Sequence, residues 1–185
     1  MSPSDGTTFT HHASGAVEEI IESVVVPVYE DSHADVISNP FYSADRFVQR
    51  VRGYMRSPGF ELVAAYVEGR PAGQVFGYAL PVDAAWWDGL TTTVPEGFTT
   101  ETGKRTFALN ELMVVPDRQG QGVAHALHDE LLGARPEERA TLLVREDNTN
   151  AQRAYARWGW KKVAKLRPYP DAPHFDAMIL SLKRE

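Results

Sequence analysis

The chain contains no cysteine, which excludes a disulfide framework, a thiolate metal centre and a cysteine nucleophile. No apolar run approaches the roughly 18 residues of a membrane span, and the start, Met1 to Gly6, lacks the basic-then-apolar order of a secretion signal. Both absences lead to the expectation of a cytoplasmic protein without a membrane partner. Positive charge is in deficit: 19 Lys and Arg stand against 25 Asp and Glu, a formal net charge of -6. That balance argues against a nucleic-acid partner and weakly favours a cationic ligand. Tandem repeats and low-complexity blocks are also missing. What is present is 43% hydrophobic content over 185 residues, enough for one well-buried core, so a single domain over 1–185 is expected. Residues 1–13 are Ser, Thr, Gly and Pro rich and are expected to be poorly ordered, with Thr7 to Thr10 as a short candidate strand.

Apolar spacing then lays out the elements. Val17, Ile20, Ile21, Val24, Val25 and Val28 recur at helical intervals opposite Glu18, Glu19 and Glu22, a first helix kinked or ended near Pro27. Ser43 to Met55 predicts a second, with Ser43 as a cap and Phe47, Val51 and Tyr54 on one face. Phe60 to Val67 and Ala72 to Leu80 predict an antiparallel hairpin around Glu68-Gly69-Arg70-Pro71. Residues 81–105 lack periodicity and predict a long loop with at most a short helical piece. After it come a strand over Thr106 to Val115, a helix over Val123 to Leu132, a strand over Ala140 to Val144 and a helix over Ala151 to Trp158. Two last strands cover Lys161 to Leu166 and Phe175 to Leu182. A strand, helix, strand sequence in the middle demands parallel pairing, whereas the hairpin and the late strands suggest antiparallel pairing, so the sheet should be mixed.

The turn Gln119-Gly120-Gln121-Gly122-Val123-Ala124 lies between the apolar run Leu112 to Pro116 and the helix that follows. Its glycines remove the Cβ atoms that would keep an anion from the backbone, and the first turn of a helix leaves about four N–H groups unpaired. A diphosphate fits such a place, although a short glycine turn is also an ordinary strand-to-helix connection. Further on, Asn148, Ala151 and Tyr155 lead into Trp158-Gly159-Trp160.

Taken together, Gln119-x-x-Gly122-x-Ala124 and the Asn148 to Trp160 set resemble the two signature motifs of the GNAT superfamily of N-acetyltransferases, with Ala124 where many members carry glycine. The resemblance spans about Phe60 to Leu182. It implies an α/β (α+β) GNAT fold: a mixed central sheet of about six to seven strands, flanked by helices, whose two central parallel strands splay apart at one end. It further implies acetyl-CoA as cosubstrate, no metal, a primary amine acceptor on a small molecule, direct transfer in a ternary complex, and the homodimer in which such proteins often occur.

The resemblance also assigns residues. The main chain of Met113, Val114 and Val115 would bond the pantetheine arm, an N–H near Val114 would meet the oxyanion, and the amides of Gln119, Gly120, Gln121, Gly122, Val123 and Ala124 would hold the pyrophosphate. Tyr155 stands where the family places its general acid, with packing on the sheet as the plain reading. Glu111 is the candidate base, with substrate-ammonium binding or a structural ion pair as alternatives. Asn148 either contacts the cofactor arm or caps the following helix. His125 and His128 lie three apart on a helix, but no acidic or cysteine partner is evident to complete a metal set. Trp86-Trp87 would form either an aromatic wall for an ammonium or ordinary packing. His174 lines an acceptor pocket or sits in a turn, and His11-His12 is incidental.

Two rival chemistries fail on residues: His125 occupies the third glycine position of a dinucleotide fingerprint, and no Gly-Lys-Ser/Thr follows the turn as a P-loop requires. The alternative that remains is a non-catalytic acyl-CoA-binding sensor or interaction module, which would have no chemical use for Tyr155 or Glu111.

Overall fold

The computed structural model describes residues 6–183; the disorder expected over residues 1–5 lies outside them. Seven strands form one mixed sheet in the order β1-β2-β3-β4-β5-β7-β6, where β1 is Thr7–Ala13, β2 Glu61–Val67, β3 Arg70–Ala79, β4 Thr106–Val114, β5 Arg139–Arg145, β6 Lys161–Leu166 and β7 Phe175–Ser181. The main helices are α1 Ser14–Val17, α2 Val26–Ser32, α3 Ala44–Tyr54, α4 Val123–Leu132 and α5 Thr149–Arg157. The residues divide into two compact units, one reaching Tyr78 and including Asn110–Ala134, the other comprising Ala79–Leu109 and the chain from Arg135 onward.

In the first unit β1, β2 and β3 are antiparallel, with Thr7 opposite Val67 and Glu61 opposite Gly77. The hairpin turn is shorter than its sequence suggests: Arg70 and Pro71 already belong to β3, leaving Glu68 and Gly69 to reverse the chain. Thr7 to Thr10, the candidate strand, does pair, within a strand that runs on to Ala13, so the looseness expected of residues 1–13 does not hold over 7–13. The ladder to β2 accounts for this, and His11 reinforces it, its ring nitrogens 2.8 Å from Glu61 and 3.2 Å from Glu130.

The chain between α1 and α2 stays helical but changes pitch, through a 3-10 turn at Glu18–Ile20 and a π turn at Ile21–Val25. Pro27 therefore does not end the helix. It sits in the first turn of α2, directly after the π turn, and the helix changes pitch beside it. Val17, Ile21, Val25, Tyr29, Phe47, Val51, Leu62 and Phe76 form the buried core of this unit. Tyr29 and Phe47 stack at 3.9 Å between ring centres, tying α2 to α3. Ser43 takes the N-cap position of α3, yet its side chain makes no capping bond.

In the second unit β7 inserts between β5 and β6 and pairs antiparallel with both. The loop over 81–105 contains one 3-10 turn, Ala85–Trp87. It is pinned by a buried polar cluster: Trp87 Nε1 donates to Glu101 Oε1 at 2.9 Å, and Arg139 donates to Thr106 Oγ1 at 2.8 Å and Glu101 Oε1 at 3.2 Å. The Arg139 guanidinium also lies over the Trp87 and Phe98 rings, 5.5 and 4.7 Å from their centres. Trp87 thus serves a cation of the protein itself. β4 and β5 pair in parallel over Thr106, Phe107 and Ala108, and the ladder stops there although β4 continues to Val114.

Candidate active site

Of the six amides expected to hold an anion, that of Gln119 is spent on Pro116 O at 3.3 Å, while those of Gly120, Gln121, Gly122, Val123 and Ala124 find no acceptor among the described residues. They cluster where β4 gives way, through a 3-10 turn at Pro116–Arg118, to the start of α4. Gly120 and Gly122 have φ of 73° and 82°, the left-handed region that glycine enters without Cβ strain. A Cβ built on Gly120 would meet nothing within 4 Å, so no other residue covers the turn at that position. The glutamine side chains turn inward instead. Gln119 Nε2 donates to Val114 O at 3.0 Å and Gln121 Nε2 to Asp117 O at 2.8 Å, bracing the turn from behind. Unpaired donors at the positive end of a helix dipole, with no side-chain cap, suit an anion such as a pyrophosphate.

The strand leading into this turn divides the roles given to residues 113–115. Val115 N–H already donates to Ala72 O at 3.0 Å, so its amide is spent within the protein. Alternation along the strand turns Val114 to the opposite edge, leaving its N–H as the donor suited to a ligand. The side chains of Met113, Val114 and Val115 are buried. Gly73, which the sequence did not single out, sets how closely these pieces approach: a Cβ there would fall 2.8 Å from Met113 O and 3.0 Å from Leu127.

Glu111 lies on the same strand, with Arg50 Nη2 3.8 Å from its Oε1. Burial pushes its carboxyl up from 4.5 to about 7, and the Arg50 charge only partly pulls it back. A carboxylate poised near neutrality is what a general base at physiological pH requires. Burial also raises the Tyr29 phenol, with the Arg50 charge opposing it, and that hydroxyl donates to Tyr42 O at 3.0 Å. Neither Arg50 nor Tyr29 was read as functional from the sequence. The usable signal was the spacing of Arg46 and Arg50, one helical turn apart beside the inward-facing Phe47 and Val51.

In the second unit α5 carries Tyr155, whose ring meets Trp158 and Trp160 edge-on at 5.5 and 5.9 Å. Burial pushes the phenol up to about 12. Its hydroxyl has no hydrogen-bond partner among the described residues. Asn148 caps α5, its Oδ1 accepting from Ala151 N at 3.2 Å, which favours the capping alternative for that side chain.

The histidine pair on α4 gains the acidic partner that the sequence did not reveal. Asp129 lies 3.6 Å from His125 and 2.8 Å from His128, and one donor atom from each residue falls within 4.8 Å of the others. Burial lowers the His128 pKa, more than Asp129 raises it. No helix among the described residues is long and apolar enough to cross a membrane.

Residues 89–172 match the family model described as an acetyltransferase (GNAT) domain. No curated protein matches the chain. Among solved structures it resembles an acetyltransferase from Thermus thermophilus, at a TM-score of 0.65 and 13% identity over 97% of this chain and 99% of that one. It also resembles the ribosomal-protein-S18-alanine N-acetyltransferase from Escherichia coli, at 0.62 and 17% over 97% and 96%, and Ard1 from Thermoplasma volcanium, at 0.63 and 18% over 97% and 99%. At these identities the likeness establishes the fold; the acceptor has to be argued from this chain's own residues.

Proposed function

We propose that this chain, which carries a GNAT acetyltransferase domain, is an N-acetyltransferase that moves an acetyl group from acetyl-CoA to a primary amine on a small molecule, in a ternary complex. The observation that carries the reading is the set of five unpaired amides from Gly120 to Ala124 at the start of α4. Acetyl-CoA supplies an activated thioester. The amine nitrogen forms a bond to the thioester carbonyl carbon, the carbon–sulfur bond breaks, one proton leaves the nitrogen and one reaches the departing sulfur.

Glu111, near neutrality, takes the proton from the amine, directly or through water, and stabilises the ammonium before that. Val114 N–H stabilises the negative charge on the carbonyl oxygen. Tyr155 is assigned to the departing sulfur. A phenol near 12 lies about 3.5 units above a thiol of about 8.5, so complete proton transfer is uphill by roughly 5 kcal/mol. Tyr155 therefore acts chiefly as a hydrogen-bond donor to the developing thiolate, a steeper case than the ordinary phenol value of about 10 implies.

Acetyl-CoA should raise the melting temperature while NAD and ATP leave it unchanged, because only a ligand of the folded state stabilises it. No shift at saturating acetyl-CoA would remove the cofactor assignment. Release of free CoA thiol from a panel of amines then tests transfer; binding without release from any amine would favour an acyl-CoA-binding module.

A further inference from the structure

Arg46 and Arg50 occupy successive turns of α3 and, with Phe41 and Gln49, line an open groove of about 560 Å³. Neither guanidinium donates a hydrogen bond among the described residues, although that of Arg50 lies 5.7 Å from the centre of the Phe47 ring. Arg46 has no ion pair or hydrogen bond among the described residues. Arg50 has Glu111 as its ion-pair partner, at 3.8 Å, which is longer than a hydrogen bond. Asp45, the nearest acid in the sequence, lines a different depression with Glu22, Glu30 and Arg52. Phe41, 60% exposed, gives the groove an apolar side.

Two guanidiniums, Arg46 and Arg50, thus stand near a single carboxyl, Glu111, and the groove keeps a net positive charge. A groove of this kind repels a polyamine, despite the acidic charge of the chain as a whole. It suits a carboxylate, which the planar guanidinium fork binds through two parallel hydrogen bonds. We propose that the groove selects an acceptor carrying both an amine and a carboxylate, an amino-acid-like molecule whose carboxylate is held by Arg46 and Arg50 while its amine is presented to Glu111. The assignment rests on the N-acetyltransferase reading and names its substrate class.

The test is a calorimetric titration of glycine, β-alanine, 4-aminobutyrate and 6-aminohexanoate, each against its carboxamide, with and without the unreactive analogue desulfo-CoA. At least one acid should bind about tenfold more tightly than its carboxamide. In Arg46→Gln, an exposed substitution whose folding is checked by an unchanged melting temperature, that preference should shrink to about twofold. Acids and carboxamides binding alike, no binding of either, or a preference retained in Arg46→Gln would each overturn the proposal. A protein that binds the acids but not acetyl-CoA would sink the acetyltransferase reading and leave the carboxylate site standing.

Discussion

Replacing Glu111 by Gln separates two consequences of one buried carboxyl. In the folded protein the group titrates near 7 rather than at its ordinary 4.5. The folded state therefore holds a proton that the unfolded chain has already released. Stability tied to this proton is intact below about 4.5, falls as pH rises between 4.5 and 7, and is fully lost above 7. A shift of about 2.5 units corresponds to roughly 3 kcal/mol. Glu111→Gln, which has no charge to bury, should thus match the wild type near pH 4.5 and exceed its stability by up to about 3 kcal/mol at pH 8. Urea titrations of both proteins across that range measure the difference directly. The same variant should lose about 10²- to 10⁴-fold in turnover, and the ascending limb near pH 7 should vanish from its pH–rate profile. A stability difference that does not change with pH would refute the reasoning, because Glu111 would then titrate as an ordinary exposed carboxylate.

Tyr155→Phe should lower kcat well beyond any change in acetyl-CoA affinity, and equal losses in both would reduce Tyr155 to a packing residue. Since that phenol stays protonated up to about 12, it should add no descending limb to the rate profile below that pH. Gly122→Val forces a branched side chain to φ 82°, costing on the order of 1–3 kcal/mol and weakening acetyl-CoA binding, readable by thermal shift. Arg139→Ala leaves Glu101 buried without its cation, a change expected to cost about 3–5 kcal/mol by denaturant unfolding. Gly73→Ala drives a methyl against Met113 O and should cost about 1–3 kcal/mol in the same assay.

Much of this molecule follows from local pattern. The 3.6-residue spacing of apolar side chains places α3 and α4, and the glycine turn before α4 needs only backbone conformation and a helix dipole to be read as a candidate anion site. The start of the chain misled because composition speaks for solvation and says nothing of a neighbouring edge: residues 7–13 are ordered by the β2 ladder and by His11 between Glu61 and Glu130. Near Pro27, where a kink or an end was expected, the helix runs on with a change from π to α pitch.

What the sequence alone determined is therefore most of the elements, because each depends on neighbours within a few residues; the roles of the glycine turn, Glu111 and Tyr155 are proposals that the experiments above decide. Only the tertiary structure decided that β7 lies between β5 and β6, that Val115 spends its amide on Ala72, and that Arg50 stands beside Glu111 across 61 positions of chain. The pKa of Glu111 belongs to that second group. It is set by how much water and which charges surround the carboxyl, quantities that exist only once distant segments have packed together.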